Sequence, residues 1–192
     1  MFSSYLISLL KRGGIAVIPT DTLYGIVADA RNQRAVARLY ALRRERARKP
    51  FIILASSISD LRLFDVVPTA RQIRFLRKVW PGKVSVVLPC PSKRFAYLHL
   101  GTNALAFRLP KKKTLQAFLK KTGPLVAPSA NLPGQPPAGT SSEAKAYFKD
   151  RVDCYVSAKR RVSSEPSTLV RLNEDGTAEV LRQGAVKISF RR

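Results

Sequence analysis

Apolar residues recur along this chain in two rhythms. Short unbroken runs, each bounded by proline, glycine or a polar cluster, predict strands near 15–18, 51–54, 84–88, 103–109, 125–127, 153–156, 167–172 and 178–182. Apolar positions spaced three and four apart predict helices near 4–12, 32–43, 69–79, 112–122 and 141–149. The run Ile15 to Ile18 is apolar at every position, the pattern of a central strand buried on both faces. Asn173-Glu174-Asp175-Gly176 predicts the turn of a late hairpin. Early strand–helix alternation followed by a hairpin predicts an α/β fold, a twisted mixed sheet flanked by helices. With 192 residues and no repeat or linker, the expectation is one domain over 1–192. Ser157–Pro166, basic and rich in serine, reads as a surface loop or as a flap over a pocket.

Two strand exits carry candidate chemistry. Pro19 ends the first strand, and Thr20, Asp21, Thr22 and Tyr24 follow at once, with Gly25 permitting a tight turn or close backbone approach. Pro128 ends the run Leu125–Ala127 and delivers the Ser129 hydroxyl and the Asn131 carboxamide, ahead of a Pro/Gly-rich stretch that continues neither helix nor strand. Each exit alone also fits a turn whose side chains cap the backbone. Two such exits in one small chain point to a shared ligand pocket at the rim of the sheet.

Composition narrows the class. Hydrophobic content is 45%, and no apolar run approaches the ~20 residues of a membrane span, so the expectation is a soluble cytoplasmic protein with no membrane partner. The N-terminus lacks the basic start of a secretory signal and reads as an amphipathic helix. Cys90 and Cys154 make neither a disulfide framework nor a metal spacing, and are expected to be reduced and buried. His99, the one histidine, has a surface or packing role, and no metal is expected on the protein's own side chains. Charge is the outlier: 35 Lys and Arg against 12 Asp and Glu, a net charge of +23. A chain this basic meets polyanions. Arg71, Arg74 and Arg77 form a helical stripe that is either a solvated face or an RNA-binding surface. The cluster 43–49 lies between a helix and a strand, in position to flank a pocket. No RRM, KH or helix-turn-helix signature accompanies the charge.

Seven motifs in order resemble the YrdC-domain family: Pro19-Thr20-Asp21-Thr22-Leu23-Tyr24-Gly25; Lys49-Pro50-Phe51; Trp80-Pro81-Gly82-Lys83-Val84-Ser85; Leu105-Ala106-Phe107-Arg108-Leu109-Pro110; Pro128-Ser129-Ala130-Asn131 with Gly134; Pro166-Ser167-Thr168; and Leu181-Arg182-Gln183-Gly184. The likeness runs from about residue 13 to 186 and is to the threonylcarbamoyl-AMP synthases of tRNA N6-threonylcarbamoyladenosine formation, in a short form without their extra C-terminal domain. The resemblance implies a YrdC-like fold with a basic concave ligand cavity. It implies that L-threonine, bicarbonate and ATP give threonylcarbamoyl-AMP and pyrophosphate, with Mg2+ held by the phosphates. It implies hand-over to a partner transferase acting on tRNA. Such chemistry needs cations, hydroxyls and backbone N–H groups that align two anions, and no enzyme nucleophile. By similarity, Thr22, Arg108, Ser129 and Ser167 face threonine, while Arg43, Lys49, Asn131 and Arg182 face ATP and pyrophosphate.

One position departs from the family pattern. Counting back from Lys49-Pro50 puts Glu45 where the family has an arginine. In a working synthase Glu45 is expected to point away from the phosphates and pair with Arg48 or Arg38, with Arg43, Arg44 or Arg46 supplying the cation. The alternative class is a non-catalytic YrdC-like protein whose basic surface binds tRNA, double-stranded RNA or ribosomal precursors.

Overall fold

The computed structural model describes residues 2–43, 49–162 and 165–188. In chain order the elements are α1 (Ser4–Lys11), β1 (Ala16–Pro19), β2 (Tyr24–Asp29), α2 (Gln33–Arg43), β3 (Ile52–Leu54), α3 (Ala70–Val79), β4 (Val84–Pro89), the one-turn α4 (Ala96–His99), β5 (Ala104–Arg108), α5 (Lys113–Thr122), β6 (Leu125–Val126), α6 (Ser141–Phe148), β7 (Cys154–Tyr155), β8 (Thr168–Leu172) and β9 (Ala178–Arg182). The strands join one mixed, twisted sheet in the order β7-β1-β2-β6-β3-β5-β4-β8-β9. The pairs β1/β7, β3/β5 and β4/β8 are parallel and the others antiparallel.

Side-chain alternation explains how the layers assemble, because successive residues of a strand point to opposite faces. On one face Val17, Ile26, Ile53, Phe107, Val86 and Val170 join a continuous core with α2 and with Phe64. On the other face Ala16, Ile18, Val27, Leu54 and Leu125 pack under Leu6 and Leu10 of α1 and Leu115, Phe118 and Leu119 of α5. Both helices lie close to their expected bounds: Ser3 caps α1 by accepting the Leu6 N–H at 3.2 Å, and α5 starts at Lys113, after Pro110, Lys111 and Lys112. This second layer covers β1, β2, β6 and β3. It stops there, and among the described residues no helix packs on the same face of β5, β4 and β8. That gap positions the site.

Several expectations change. No element is predicted over 24–29, because Gly25 reads as a turn residue. It is instead a strand residue of β2, and a Cβ there would lie 3.5 Å from Thr20 Cγ2 and the Pro128 carbonyl, an ordinary contact. The 3-10 turn Ile58–Phe64 and the short α4 were equally silent in the sequence. Cys90 is buried as expected, but Cys154 is only half-buried, since β7 is an edge strand. His99 packs inside, its Nδ1 accepting the Gly101 N–H at 3.2 Å. The hairpin turn at 173–176 forms as predicted and joins β8 to β9. Among the described residues, no helix is long and apolar enough to cross a membrane.

Candidate functional site

Where the α1/α5 layer ends, the sheet face is hollow. β5 explains why. Leu105 and Phe107 point into the core, while Ala104, Ala106 and Arg108 point the other way. Two alanines alternate with two large side chains, so one face is filled and the other is shallow. Val87 of β4 and Leu169 of β8 extend the same floor. The resulting cavity has a volume of about 610 Å³, within the range of roughly 300–1,000 Å³ usual for small-molecule sites.

The two polar strand exits form its rim together, as their sequence suggested. Gly25 bridges Ser129, the Ile26 N–H bonds the Pro128 carbonyl at 3.0 Å, and the Ala130 N–H bonds the Tyr24 carbonyl at 2.8 Å. Thr20 takes the turn-capping role: its hydroxyl donates to the Leu23 carbonyl at 2.6 Å and accepts the Thr22 N–H at 3.1 Å. That turn leaves Thr22 on the cavity wall. Ser167 stands opposite, its hydroxyl 2.8 Å from that of the buried Ser85.

Of the residues singled out from the sequence, Thr22, Arg108, Ser129, Ser167, Arg43, Lys49 and Arg182 all line this one cavity. Asn131 does not. Its carboxamide accepts the Ser129 hydroxyl at 2.6 Å and donates to the carbonyls of Leu132 and Gln135 at 3.1 and 2.9 Å. It shapes the turn and orients Ser129, which is the capping alternative for this motif.

The cations are placed by packing. Tyr40 stacks on Phe51 with ring centroids 3.9 Å apart and donates its hydroxyl to the Lys49 carbonyl at 2.9 Å. The Arg43 guanidinium lies 5.7 Å from the Phe51 centroid. The end of α2 and the start of β3 are thus held together, with Arg43 and Lys49 facing the hollow. Arg182 donates to the Ser167 carbonyl at 2.9 Å, and burial lowers its pKa below the usual arginine value. Gly184 lets this segment close: a Cβ there would sit 2.4 Å from the Pro166 carbonyl oxygen. Glu45 and its neighbours Arg44, Arg46 and Arg48 lie outside the described residues. Arg38, one partner considered for Glu45, is bound to Asp153 at 2.7 and 2.8 Å.

The sequence reading missed Arg171 as a lining residue and the partner of Arg108, and it left the stretch 157–166 open between a surface loop and a flap over a pocket. Arg171 also lines the cavity, paired with Glu179 at 3.0 Å. Tyr24 accepts the Ala158 N–H at 2.8 Å, and Pro166 lines the cavity, so both ends of the stretch 157–166 lie against the mouth; residues 163 and 164 are outside the described set. Most important, Asp21 meets Arg108. The contact is 2.5 Å, with side-chain exposures of 9% and 5%. Burial pulls the Arg108 pKa below the usual arginine value, and Asp21 opposes that shift. The stripe Arg71, Arg74 and Arg77 is exposed on α3, outside the cavity lining.

The model of the Sua5/YciO/YrdC family, described as "Telomere recombination", matches residues 8–184. The chain belongs to this family. Among relatives, it is 31% identical over 179 residues to a threonylcarbamoyl-AMP synthase of Hahella chejuensis, covering 92% of this chain and 95% of that protein. The fold superposes on P. abyssi Sua5 complexed with L-threonine, with TM-score 0.84 and 24% identity over 94% of this chain. It superposes equally on E. coli YciO, with TM-score 0.83 and 22% identity, covering 95% of this chain and 89% of that one. The chain spans about half, 53%, of the P. abyssi protein. At these identities the structural likenesses show the Sua5/YciO/YrdC fold.

Proposed function

We propose that the cavity is the active site of an L-threonylcarbamoyladenylate synthase, which converts L-threonine, bicarbonate and ATP to threonylcarbamoyl-AMP and pyrophosphate. One observation carries this reading: Thr22, Ser129, Ser167 and Arg108 share a single cavity with Arg43, Lys49 and Arg182. Hydroxyls and a guanidinium fork suit an amino acid, and a cluster of cations suits a triphosphate. The relative named threonylcarbamoyl-AMP synthase, nearly matched in length, supports it.

In this reading threonine's amine attacks carbon dioxide derived from bicarbonate and loses a proton, giving a carbamate. A carbamate oxygen then attacks the α-phosphorus of ATP, and pyrophosphate leaves. No residue needs to become covalently attached. Arg108 pairs with the threonine carboxylate, and Thr22, Ser129 and Ser167 offer hydrogen bonds around it. Arg43, Lys49 and Arg182 offset charge on the phosphates. No carboxylate is found among the described lining residues, so Mg2+ would arrive on the phosphate oxygens with water completing its shell. The adenylate would pass to the transferase that modifies tRNA. Pyrophosphate release is expected only when L-threonine and bicarbonate are both present with ATP. Release indifferent to threonine would contradict the reading.

The net charge of +23 and the exposed α3 stripe favour RNA contact as an accompaniment to this chemistry. Replacing Arg71, Arg74 and Arg77 by Gln is expected to reduce the slope of log affinity against log salt for tRNA by about 2–3. Threonine-dependent pyrophosphate release should be unchanged. An unaltered salt slope would assign the stripe to solvation.

A further inference from the structure

We propose that Asp21 makes Arg108 a carboxylate reader in a cavity otherwise arranged for phosphate. The inference rests on the reading above that Arg108 receives threonine's carboxylate, and it adds why the triphosphate does not take that place.

The cavity is lined by Arg43, Lys49, Arg108, Arg171 and Arg182. Lys49 and Arg182 form no ion pair among the described residues, and the partner of Arg171 is a largely exposed Glu179. Arg108, by contrast, is matched by a buried carboxylate. Asp21 comes from a loop 87 residues away in sequence and is held on both oxygens. Oδ1 accepts from Arg108 Nη1, and Oδ2 accepts the Lys111 N–H at 3.1 Å. Asp21 itself is absent from the cavity lining, so it acts through Arg108. It is a positioning residue.

The consequence is electrostatic. With Asp21 attached, the pair has no net charge, yet Arg108 still faces the cavity with its remaining N–H donors, for which no bond is found among the described residues. Those donors can hold one carboxylate by directed hydrogen bonds, helped by the neighbouring hydroxyls. Coulomb repulsion from Asp21 grows with the charge of the ligand. At a given distance it is about four times larger for a ligand with four negative charges than for one carboxylate. The subsite therefore tolerates an amino acid and disfavours a polyphosphate, which is left to Lys49 and Arg182 on the same cavity wall.

The test is binding of L-threonine and of inorganic pyrophosphate, measured by calorimetry at fixed ionic strength. In the wild-type protein the two ligands should bind together, each leaving the other's affinity within about threefold. Asp21→Asn is nearly isosteric and removes the charge. It should tighten pyrophosphate binding at least fivefold and make pyrophosphate compete with threonine. Asp21→Glu keeps the charge and should retain wild-type pyrophosphate affinity. In the double variant Asp21→Asn/Arg108→Gln the gain should vanish, because it depends on the unmasked guanidinium. A merely structural Asp21 would weaken both ligands and give no gain. Unchanged or weaker pyrophosphate binding in folded Asp21→Asn would overturn the inference. So would competition between the two ligands in the wild type, which needs no variant. A wild-type protein that binds no threonine would sink the proposed function instead, while the pyrophosphate gain in Asp21→Asn would still decide the role of Asp21.

Discussion

Arg108→Ala is expected to raise the threonine concentration needed for half-maximal pyrophosphate release by about 30-fold to several thousand-fold, with the ATP requirement changed by less than about threefold. The range corresponds to about 2–5 kcal/mol, the usual cost of truncating one partner of a buried charge pair in a binding site. Arg108 ends β5, is 4% exposed and faces the cavity. Alanine also strands the Asp21 carboxylate without its counter-charge, so thermal stability should fall as well. Arg108→Lys separates the two effects. It keeps a cation beside Asp21 and restores much of the stability, but it lacks the planar fork, so the threonine defect should persist. Equal weakening of threonine and ATP by both variants would show that Arg108 does not read the amino acid.

Phe107→Ala, one position earlier, should have the opposite character. Phe107 is fully buried on the core face of β5 and meets Phe64 edge-on, with centroids 5.5 Å apart. Truncating such a ring loses its transfer free energy and leaves a cavity, a cost of about 3–5 kcal/mol. Urea denaturation should show that loss, while the folded fraction keeps its threonine affinity within about threefold. A loss below about 1 kcal/mol would mean that this face is not the closed core described above. Adjacent residues of one strand thus answer to different tests because their side chains point to opposite faces.

That alternation was legible in the sequence at 104–108, where small and large side chains take turns. The two strand exits were also legible, since Pro19 and Pro128 each stop an apolar run and release hydroxyl-bearing residues. β2 was not, because a glycine within an apolar run reads as a break, and only pairing with β1 and β6 makes it a strand. Asn131 was assigned to ATP, while the structure spends its carboxamide on the turn behind Ser129. The Asp21–Arg108 pair had no local signature. It exists because the loop after β1 and the end of β5 meet in space, which no spacing along the chain announces. The charge of the chain suggested a polyanion, but which cations face the cavity depended on packing, as Tyr40 and Phe51 do for Arg43 and Lys49.

The central claim is that one cavity joins threonine, carbon dioxide and the AMP moiety of ATP. It is tested most directly by incubating the protein with 14C-labelled bicarbonate, L-threonine, ATP and Mg2+ and following the label into an AMP-bearing product. The account predicts labelled threonylcarbamoyl-AMP that vanishes when threonine is omitted and falls sharply in Arg108→Ala. Folded wild-type protein that forms no labelled adenylate, or forms it without threonine, would contradict the account.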